Sequence, residues 1–370
     1  MVKERKHFRY MDVLNVLSCF AVVVLHCTTV VYVNQGDVQW FVSIALQSLF
    51  MFAVPVFFMI SGANLIGYRS RYSTKVFFQK RLKRVLMTLV GYSFFIYVLS
   101  CLVPVQLGIP PRSFSLFEFV DLLLTNQICD VYWFMYSILI LYLITPLLAC
   151  FASNKRLLEY AIALCVISTA VIPFANRFAP NHDLFSVLSV PYLTGAIMYY
   201  LIGYYIVTYS PFGDHTEKMR PVLLVVAICS VVFMALMTIK TNVSHTVMSG
   251  AFSDYDNFYN SYLHLPVLVY SFSLFMLLKS FEPLFQSNKH SFVTVISKLS
   301  FLSFDVYAVH MMFIWALDVY VSHGIIWDVA IRPFAVFVLS LLFAFVLESF
   351  KNLYRKVRFN NSFDRCIGNH

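Results

Sequence analysis

Two histidines lie inside strongly apolar stretches of the chain, where a titratable side chain is costly unless it has a partner or a function. These residues are His26, which follows the apolar run 20–25, and His310, which ends the segment 303–310. A buried imidazole can accept and return a proton near neutral pH, which acyl transfer to a hydroxyl requires. The alternative is a core histidine that is hydrogen-bonded to a neighbouring helix.

Two arginines form a second candidate site. Arg81 and Arg84 lie three residues apart in the basic segment 80–84, so on a helix they share one face. A pair of guanidinium groups at a membrane boundary can hold phosphate groups through paired hydrogen bonds. The alternative is that both side chains reach the lipid headgroups without a ligand.

Further polar and aromatic residues lie near these candidates. Asn15 precedes His26 by eleven residues, so on a helix the two share a face, about 16 Å apart along the axis. Tyr307 and His310 also share a face. Tyr132 and Trp133 lie at the start of a span. Such aromatic residues usually form an interfacial belt, which is the alternative to a role in a polar pathway. The candidates for a polar pathway are Asp12, Asn15, Tyr132, Trp133, Tyr307 and His310.

The composition excludes several classes of protein. Of the 370 residues, 60% are hydrophobic and 12% are charged, against about 45–50% and 25% in soluble domains. A soluble enzyme, a disordered chain and a secreted disulfide scaffold are therefore excluded. The eight cysteines form no CxxC pair and mostly lie in apolar runs, so we interpret them as small buried hydrophobic residues.

Uncharged runs define the fold class. Runs of at least 19 residues that lack Asp, Glu, Lys and Arg include 13–36, 38–68, 85–111, 131–154, 184–213 and 221–239. A helix needs about 20 apolar residues to cross a bilayer, and the runs lack the alternation of a β-barrel. We predict an all-α polytopic protein with ten spans: 11–33, 40–66, 77–106, 130–151, 158–175, 186–208, 220–240, 261–281, 298–319 and 326–350.

The distribution of Lys and Arg predicts the orientation. With the N-terminus in the cytoplasm, ten spans place 23 of the 27 Lys and Arg residues on the cytoplasmic side. We therefore expect a cytoplasmic N-tail (1–10), a ten-span domain (11–350) and a basic cytoplasmic C-tail (351–370), with no cleavable signal peptide. The net charge of +9 then reflects contact with anionic membrane lipids and not with nucleic acid.

The outer loop 241–260 is rich in Ser, Asn, Asp and Tyr. Such a loop would suit a sugar-like acceptor, although an ordinary solvated loop has the same composition.

Six short motifs, in order, resemble acyltransferase family 3 of the membrane-bound O-acyltransferases over about residues 8–350. They are the first span ending at His26, the segment 54–62, the Arg-x-x-Arg within 80–84, Tyr-Trp-Phe at 132–134, Gly203-Tyr204, and the segment 303–310. The layout is most similar to the small stand-alone members that acetylate bacterial envelope glycans, such as those acting on enterobacterial common antigen.

This resemblance implies a protein of the bacterial plasma membrane that moves an acyl group, usually acetyl from cytoplasmic acetyl-CoA, to a sugar hydroxyl. By motif, His26 would be the essential histidine, as general base or as covalent carrier, and Arg81 and Arg84 would hold the CoA phosphates. The expected partners are the acyl-CoA donor, a glycan or lipid-linked sugar and membrane lipids, with no metal.

Two positions depart from the family pattern. Asn15 stands where Arg or Lys is usual, and Asp305 where glycine is common. Either Arg9 or Lys80 supplies the missing charge, or the chain has lost transferase activity. The rival function is a non-catalytic exporter of a glycan or lipid, since some relatives are assigned to polysaccharide export. An inverted repeat would favour transport, and the sequence shows none.

Overall fold

The computed structural model describes residues 7–33, 36–178, 195–243, 255–287, 290–321 and 324–367. These ranges contain helices and no strand, which confirms the all-α prediction. The α-helices are α1 (Arg9–Cys27), α2 (Val38–Phe50), α3 (Ala53–Leu65), α4 (Thr74–Phe77), α5 (Lys83–Leu102), α6 (Pro104–Leu107), α7 (Leu116–Leu124), α8 (Trp133–Phe151), α9 (Lys155–Val166), α10 (Ile172–Phe178), α11 (Gly195–Tyr209), α12 (Arg220–Asn242), α13 (Leu265–Ser280), α14 (Glu282–Ser287), α15 (His290–Tyr320) and α16 (Arg332–Ile367).

Within the described residues, nine helical segments are long and apolar enough to cross a membrane. They are Arg9–Cys27, Val38–Ser70, Thr74–Leu102, Asp130–Phe151, Lys155–Phe178, Arg220–Asn242, Phe258–Ser280, Val293–Tyr320 and Trp327–Tyr354. These segments match nine of the ten predicted spans. The remaining one, 186–208, begins outside the described residues, and its described part is α11. The protein is therefore a multi-pass membrane protein, while its orientation stays a prediction.

The outer surface of the bundle is apolar. Leu147, Leu236 and Phe345 are exposed, as expected for side chains that face lipid. The cysteines in the part of the chain that can be described are free. Cys150 and Cys229 are exposed, so the predicted burial is wrong for these two. Their small apolar side chains are compatible with lipid as well as with a protein core.

Helix α1 lies at the centre of the bundle. It packs against α2, α3, α13, α14, α15 and α16. The first N–H groups of a helix have no partner within the helix. Here the carboxylate of Glu282 accepts hydrogen bonds from the backbone N–H groups of Arg9, at 3.1 Å, and Tyr10, at 2.8 Å. The start of α1 is therefore fixed to the start of α14.

The end of α1 is also bonded to other helices. The amide of Gln47 donates to the carbonyl oxygen of Leu25 at 2.8 Å, and Arg332 donates to that of Cys27 at 3.4 Å. Arg332 is buried and forms an ion pair with Asp318 at the end of α15. Side chains from α2 and α16 thus satisfy carbonyls that α1 cannot satisfy itself.

Helices α3 and α11 touch through their backbones at two glycines. A Cβ atom at Gly62 would overlap the carbonyl of Tyr200, and one at Gly203 would overlap the carbonyl of Met59. Small residues allow this close approach, and in lipid, packing replaces the hydrophobic effect as the force that joins helices. The two contacts are reciprocal. Gly62 lies three residues after Met59, which contacts Gly203, and Gly203 lies three residues after Tyr200, which contacts Gly62.

We expect Gly203→Ala to lower the free energy of unfolding by about 1–3 kcal/mol, because the added methyl forces two backbones apart. Thermal unfolding of the purified protein in detergent measures the effect. Gly91→Ala in α5 is the matched control, since nothing lies within 4 Å of its added Cβ, and Ala favours a helix over Gly by about 1 kcal/mol. Equal melting temperatures for Gly203→Ala and the wild type would contradict the close contact.

Candidate functional site

Arg81 and Arg84 lie where a short helix joins a long one. Helix α4 is followed by a π turn, Phe78–Leu82, and then by α5. Single π turns inside helices are frequent at functional sites. Arg81 is half-buried within the turn, and Arg84 is exposed in the first turn of α5. Within the described residues, neither guanidinium group forms an ion pair.

Both arginines line a cavity of about 280 Å³ between α1, α3, α5, α8 and α15. Its other polar lining residues are Asn15, Ser61, Tyr142, Ser300 and Ser303. The lining contains no acidic side chain, so the two guanidinium groups give this cavity a net positive charge. The aromatic lining residues include Phe57, Phe134, Phe301, Phe304 and Tyr307.

Asn15 belongs to the cavity wall through a hydrogen-bond network. Its amide donates to the carbonyl and to the hydroxyl of Ser300, at 2.8 and 3.0 Å. The Ser300 hydroxyl donates to Asp12 at 3.0 Å, and Ser297 donates to the same carboxylate at 2.6 Å. Asp12 also lies 2.7 Å from His7. Asp12 and Asn15 therefore join α1 to α15 at the level of the cavity.

The structure does not place Arg9 or Lys80 at the cavity, so neither replaces the charge that is missing at position 15. The Arg9 guanidinium donates to the carbonyl of Phe285 at 3.1 Å and does not line the cavity. The Lys80 ammonium lies over the ring of Tyr72, 5.6 Å from its centre.

A second cavity, of about 760 Å³, lies between α5, α15 and α16 and shares Arg84, Phe301 and Phe304 with the first. In it, Tyr92 donates to Asp305 at 2.6 Å and Lys351 lies 3.6 Å from the same carboxylate. No motif in the sequence singles out Tyr92 or Lys351. The sequence feature that could have pointed to them is Asp305, because an acidic group within a span requires a polar partner.

The two histidines lie close together, deeper in the bundle. The rings of His26 and His310 are 5.2 Å apart between their centres and tilted by 42°. His310 is completely buried, and His26 is half-buried. Within the described residues His26 makes no hydrogen bond, although the charge of Asp130 acts on it.

Tyr307 lies between the cavity and the histidines. It lines the cavity, and its ring centre is 5.6 Å from that of His310. Ten residues separate Ser300 from His310, and eleven separate Asn15 from His26, so the histidines lie about 15–16 Å along the helices from the level of the arginines.

Tyr132 and Trp133 do not line the cavity. The hydroxyl of Tyr132 donates to the carbonyl of Ala308 at 2.6 Å, and the hydroxyl of Tyr307 donates to the carbonyl of Val131. These two bonds fasten the start of α8 to α15, beside His310. Trp133 stacks on Tyr262, with the ring centres 5.5 Å apart. The outer loop 241–260, a possible acceptor contact, lies largely outside the described residues.

The geometry separates two chemical functions. The cavity with two arginines can hold a phosphate-bearing molecule, and the histidine pair can move a proton or carry a group. Among the residues that can be described, no three His, Cys, Asp or Glu side chains come together to hold a metal ion.

The fold and the site define a multi-pass membrane protein whose bundle contains a cationic cavity at one level and a pair of histidines at another. The acyltransferase domain of acyltransferase family 3 matches residues 8–349, nearly the whole chain, and the chain belongs to this family. It is thus a membrane acyltransferase by family. No curated protein and no solved structure matches the chain.

We expect Tyr132→Phe to lower the free energy of unfolding by about 1 kcal/mol, because it removes the hydrogen bond to Ala308. Thermal unfolding in detergent measures this loss. Tyr205→Phe is the control, since its hydroxyl donates to Glu159 at the exposed surface of α11 and α9. A loss as large in the control would show that the buried bond does not brace α8 against α15.

Proposed function

We propose that the protein transfers an acetyl group from cytoplasmic acetyl-CoA to a sugar hydroxyl of a cell-surface polysaccharide or its lipid-linked precursor. It would act as an O-acetyltransferase in the plasma membrane of a bacterium. The observation that carries the proposal is the cavity with two arginines that form no ion pair within the described residues, inside an acyltransferase of family 3.

The cavity suits the phosphates of CoA. Planar guanidinium groups bind phosphate oxygens in pairs, and the lining contains no carboxylate to compete for Arg81 and Arg84. A volume of about 280 Å³ is near the lower limit of about 300 Å³ for small-molecule sites. We therefore expect the phosphates and the start of the pantetheine arm inside, with the nucleoside at the mouth.

The aromatic part of the wall favours a short acyl group. Phe57, Phe134 and Tyr307 line the cavity with bulky rings, beside which a two-carbon acetyl group would fit more easily than a long chain. The pantetheine arm would extend past Tyr307 towards His26. The arm would then cover the 15–16 Å between the level of the arginines and that of the histidines.

At the histidines, the reaction exchanges one acyl bond for another. The carbon–sulfur bond of the thioester breaks, the hydroxyl oxygen forms the ester bond, and the proton of the hydroxyl passes to the CoA sulfur. His26 would take part as general base or as transient carrier of the acetyl group. Its freedom from hydrogen bonds within the described residues suits both roles.

The acceptor would arrive from the opposite end of the bundle. The stacked rings of Trp133 and Tyr262 lie at the start of α8, which the orientation prediction places outside the cell. Aromatic rings with one polar edge suit a surface that is partly wet. Glycans of the enterobacterial common antigen type are among the acceptors that this arrangement would suit.

Arg81→Ala and Arg84→Ala should each raise the KM for acetyl-CoA about 10- to 100-fold, because each removes charge-assisted hydrogen bonds worth about 1.5–3 kcal/mol. Kinetics on the protein in lipid nanodiscs measure this effect. Lys variants should recover little, because the planar fork is lost. Arg156→Ala removes an exposed arginine outside the cavity as a control. An unchanged KM in both variants would show that Arg81 and Arg84 do not bind acetyl-CoA and contact only lipid headgroups.

His26→Ala should reduce glycan acetylation about 10²- to 10⁴-fold, the usual contribution of a positioned proton-transfer group. It should leave binding of acetyl-CoA unchanged. NMR of O-acetyl groups on the envelope glycan measures the first effect, and calorimetry in nanodiscs measures the second. Equal acetylation by the variant and the wild type would exclude His26 from the reaction. Absence of acetylation by the wild type would instead favour the exporter.

A further inference from the structure

The tautomer of His310 is set by its own helix. Its Nδ1 atom lies 2.6 Å from the backbone carbonyl oxygen of Tyr307. A carbonyl oxygen only accepts hydrogen bonds, so Nδ1 carries the proton. In the neutral imidazole, Nε2 then has a free lone pair and can only accept.

Among the described residues, this lone pair has no partner. His310 is 0% exposed, and its Nε2 atom is buried without a hydrogen bond. A buried acceptor without a donor costs about 1–3 kcal/mol, which an apolar side chain at this position would avoid. The site is therefore complete only when a molecule that carries an O–H or N–H group reaches Nε2.

The surroundings of Nε2 restrict which donor this can be. The neighbouring ring is His26, at 5.2 Å between centres, and the two histidines do not hydrogen-bond to each other. The hydroxyl of Tyr307 is already bonded to Val131, and that of Tyr132 to Ala308. No described side chain therefore supplies the donor, and a bound molecule that reaches Nε2 would also lie beside His26.

We propose that His310 is a second catalytic residue, whose Nε2 atom accepts the hydrogen bond of the sugar hydroxyl and takes its proton during transfer. This inference rests on the proposed function. The hydroxyl O–H bond breaks and its proton moves to Nε2, while the oxygen forms the ester bond with the acetyl carbon. The bond from that carbon to the sulfur breaks, either directly or after passage of the acetyl group to His26. The proton then passes from Nε2 to the sulfur.

The two histidines thereby divide the reaction. His310 is fixed by its bond to Tyr307 and presents one basic nitrogen, as a general base requires. His26 is half-buried and makes no hydrogen bond within the described part of the chain, so it is free to act on the acetyl group. This division favours the carrier role over the base role for His26.

The test uses two variants of the full-length protein in nanodiscs, with acetyl-CoA and isolated envelope glycan. His310→Ala removes the base and leaves space for imidazole, whereas His310→Gln fills the position with an acceptor that cannot take a proton. Both should lower kcat about 10²- to 10⁴-fold and leave the KM for acetyl-CoA unchanged. Added imidazoles of similar size should restore His310→Ala, and the restored rate should rise with their basicity.

His264→Ala is the control, because His264 also bonds through Nδ1 to a backbone carbonyl, that of Phe258, but lies outside the histidine pair. It should retain the wild-type rate. Wild-type kcat in His310→Gln, or rescue that follows the size of the added imidazole and not its basicity, overturns the role of His310. If either of these results is found while His26→Ala is inactive, only the role of His310 is excluded, and the proposed acetyl transfer stands. A wild-type protein that acetylates nothing overturns both.

Discussion

The site depends on how α1 is held in the bundle. Glu282 accepts the free N–H groups at its start, and Gln47 and Arg332 donate to the free carbonyls near its end. Such groups are costly when they are buried without a partner, so these bonds stabilise both ends of α1. Because both ends are fixed, the depths of Asn15 and His26 are fixed as well.

Because buried polar groups need hydrogen-bond partners, those without a partner are informative. Most polar side chains inside the bundle are paired, for example Thr145 with Tyr200 and Ser48 with Asn260. Many of the buried polar atoms without a partner are hydroxyl oxygens, such as that of Ser18, whose hydrogen is free to rotate. An imidazole nitrogen with a fixed tautomer has no such freedom. In the proposed function, this nitrogen and the two arginines are the groups that would contact the bound molecules.

The sequence predicts most of the fold because span formation depends on local composition. A run of apolar residues long enough to cross the bilayer is helical wherever it lies in the chain. The same logic misses α7, which lies between the predicted spans 77–106 and 130–151 and buries only Phe119 and Leu122. It also treats the cysteines alike, although burial depends on which face of a helix meets its neighbours.

The site was only partly predictable, because its residues come from distant parts of the chain. Motif and spacing single out His26, Arg81 and Arg84, but not that the rings of His26 and His310 lie together. The pairing of Lys351 with Asp305 joins two helices, and no local pattern reveals it. Tyr132 looks like an interfacial aromatic residue in sequence, and only the packing of α8 against α15 shows its bond to Ala308.

The π turn Phe78–Leu82 has a consequence for how this chain can evolve. It connects Phe77, which is fully buried and stacks on Tyr68, to the two arginines of the cavity. Each residue of a helix turns the chain by about 100°, so one insertion or deletion between Phe77 and Arg81 would rotate the arginines away from the cavity. Substitution of the exposed residues Gln79 and Lys80 would not. We therefore expect relatives of this chain to vary in residue type within this segment but to keep its length.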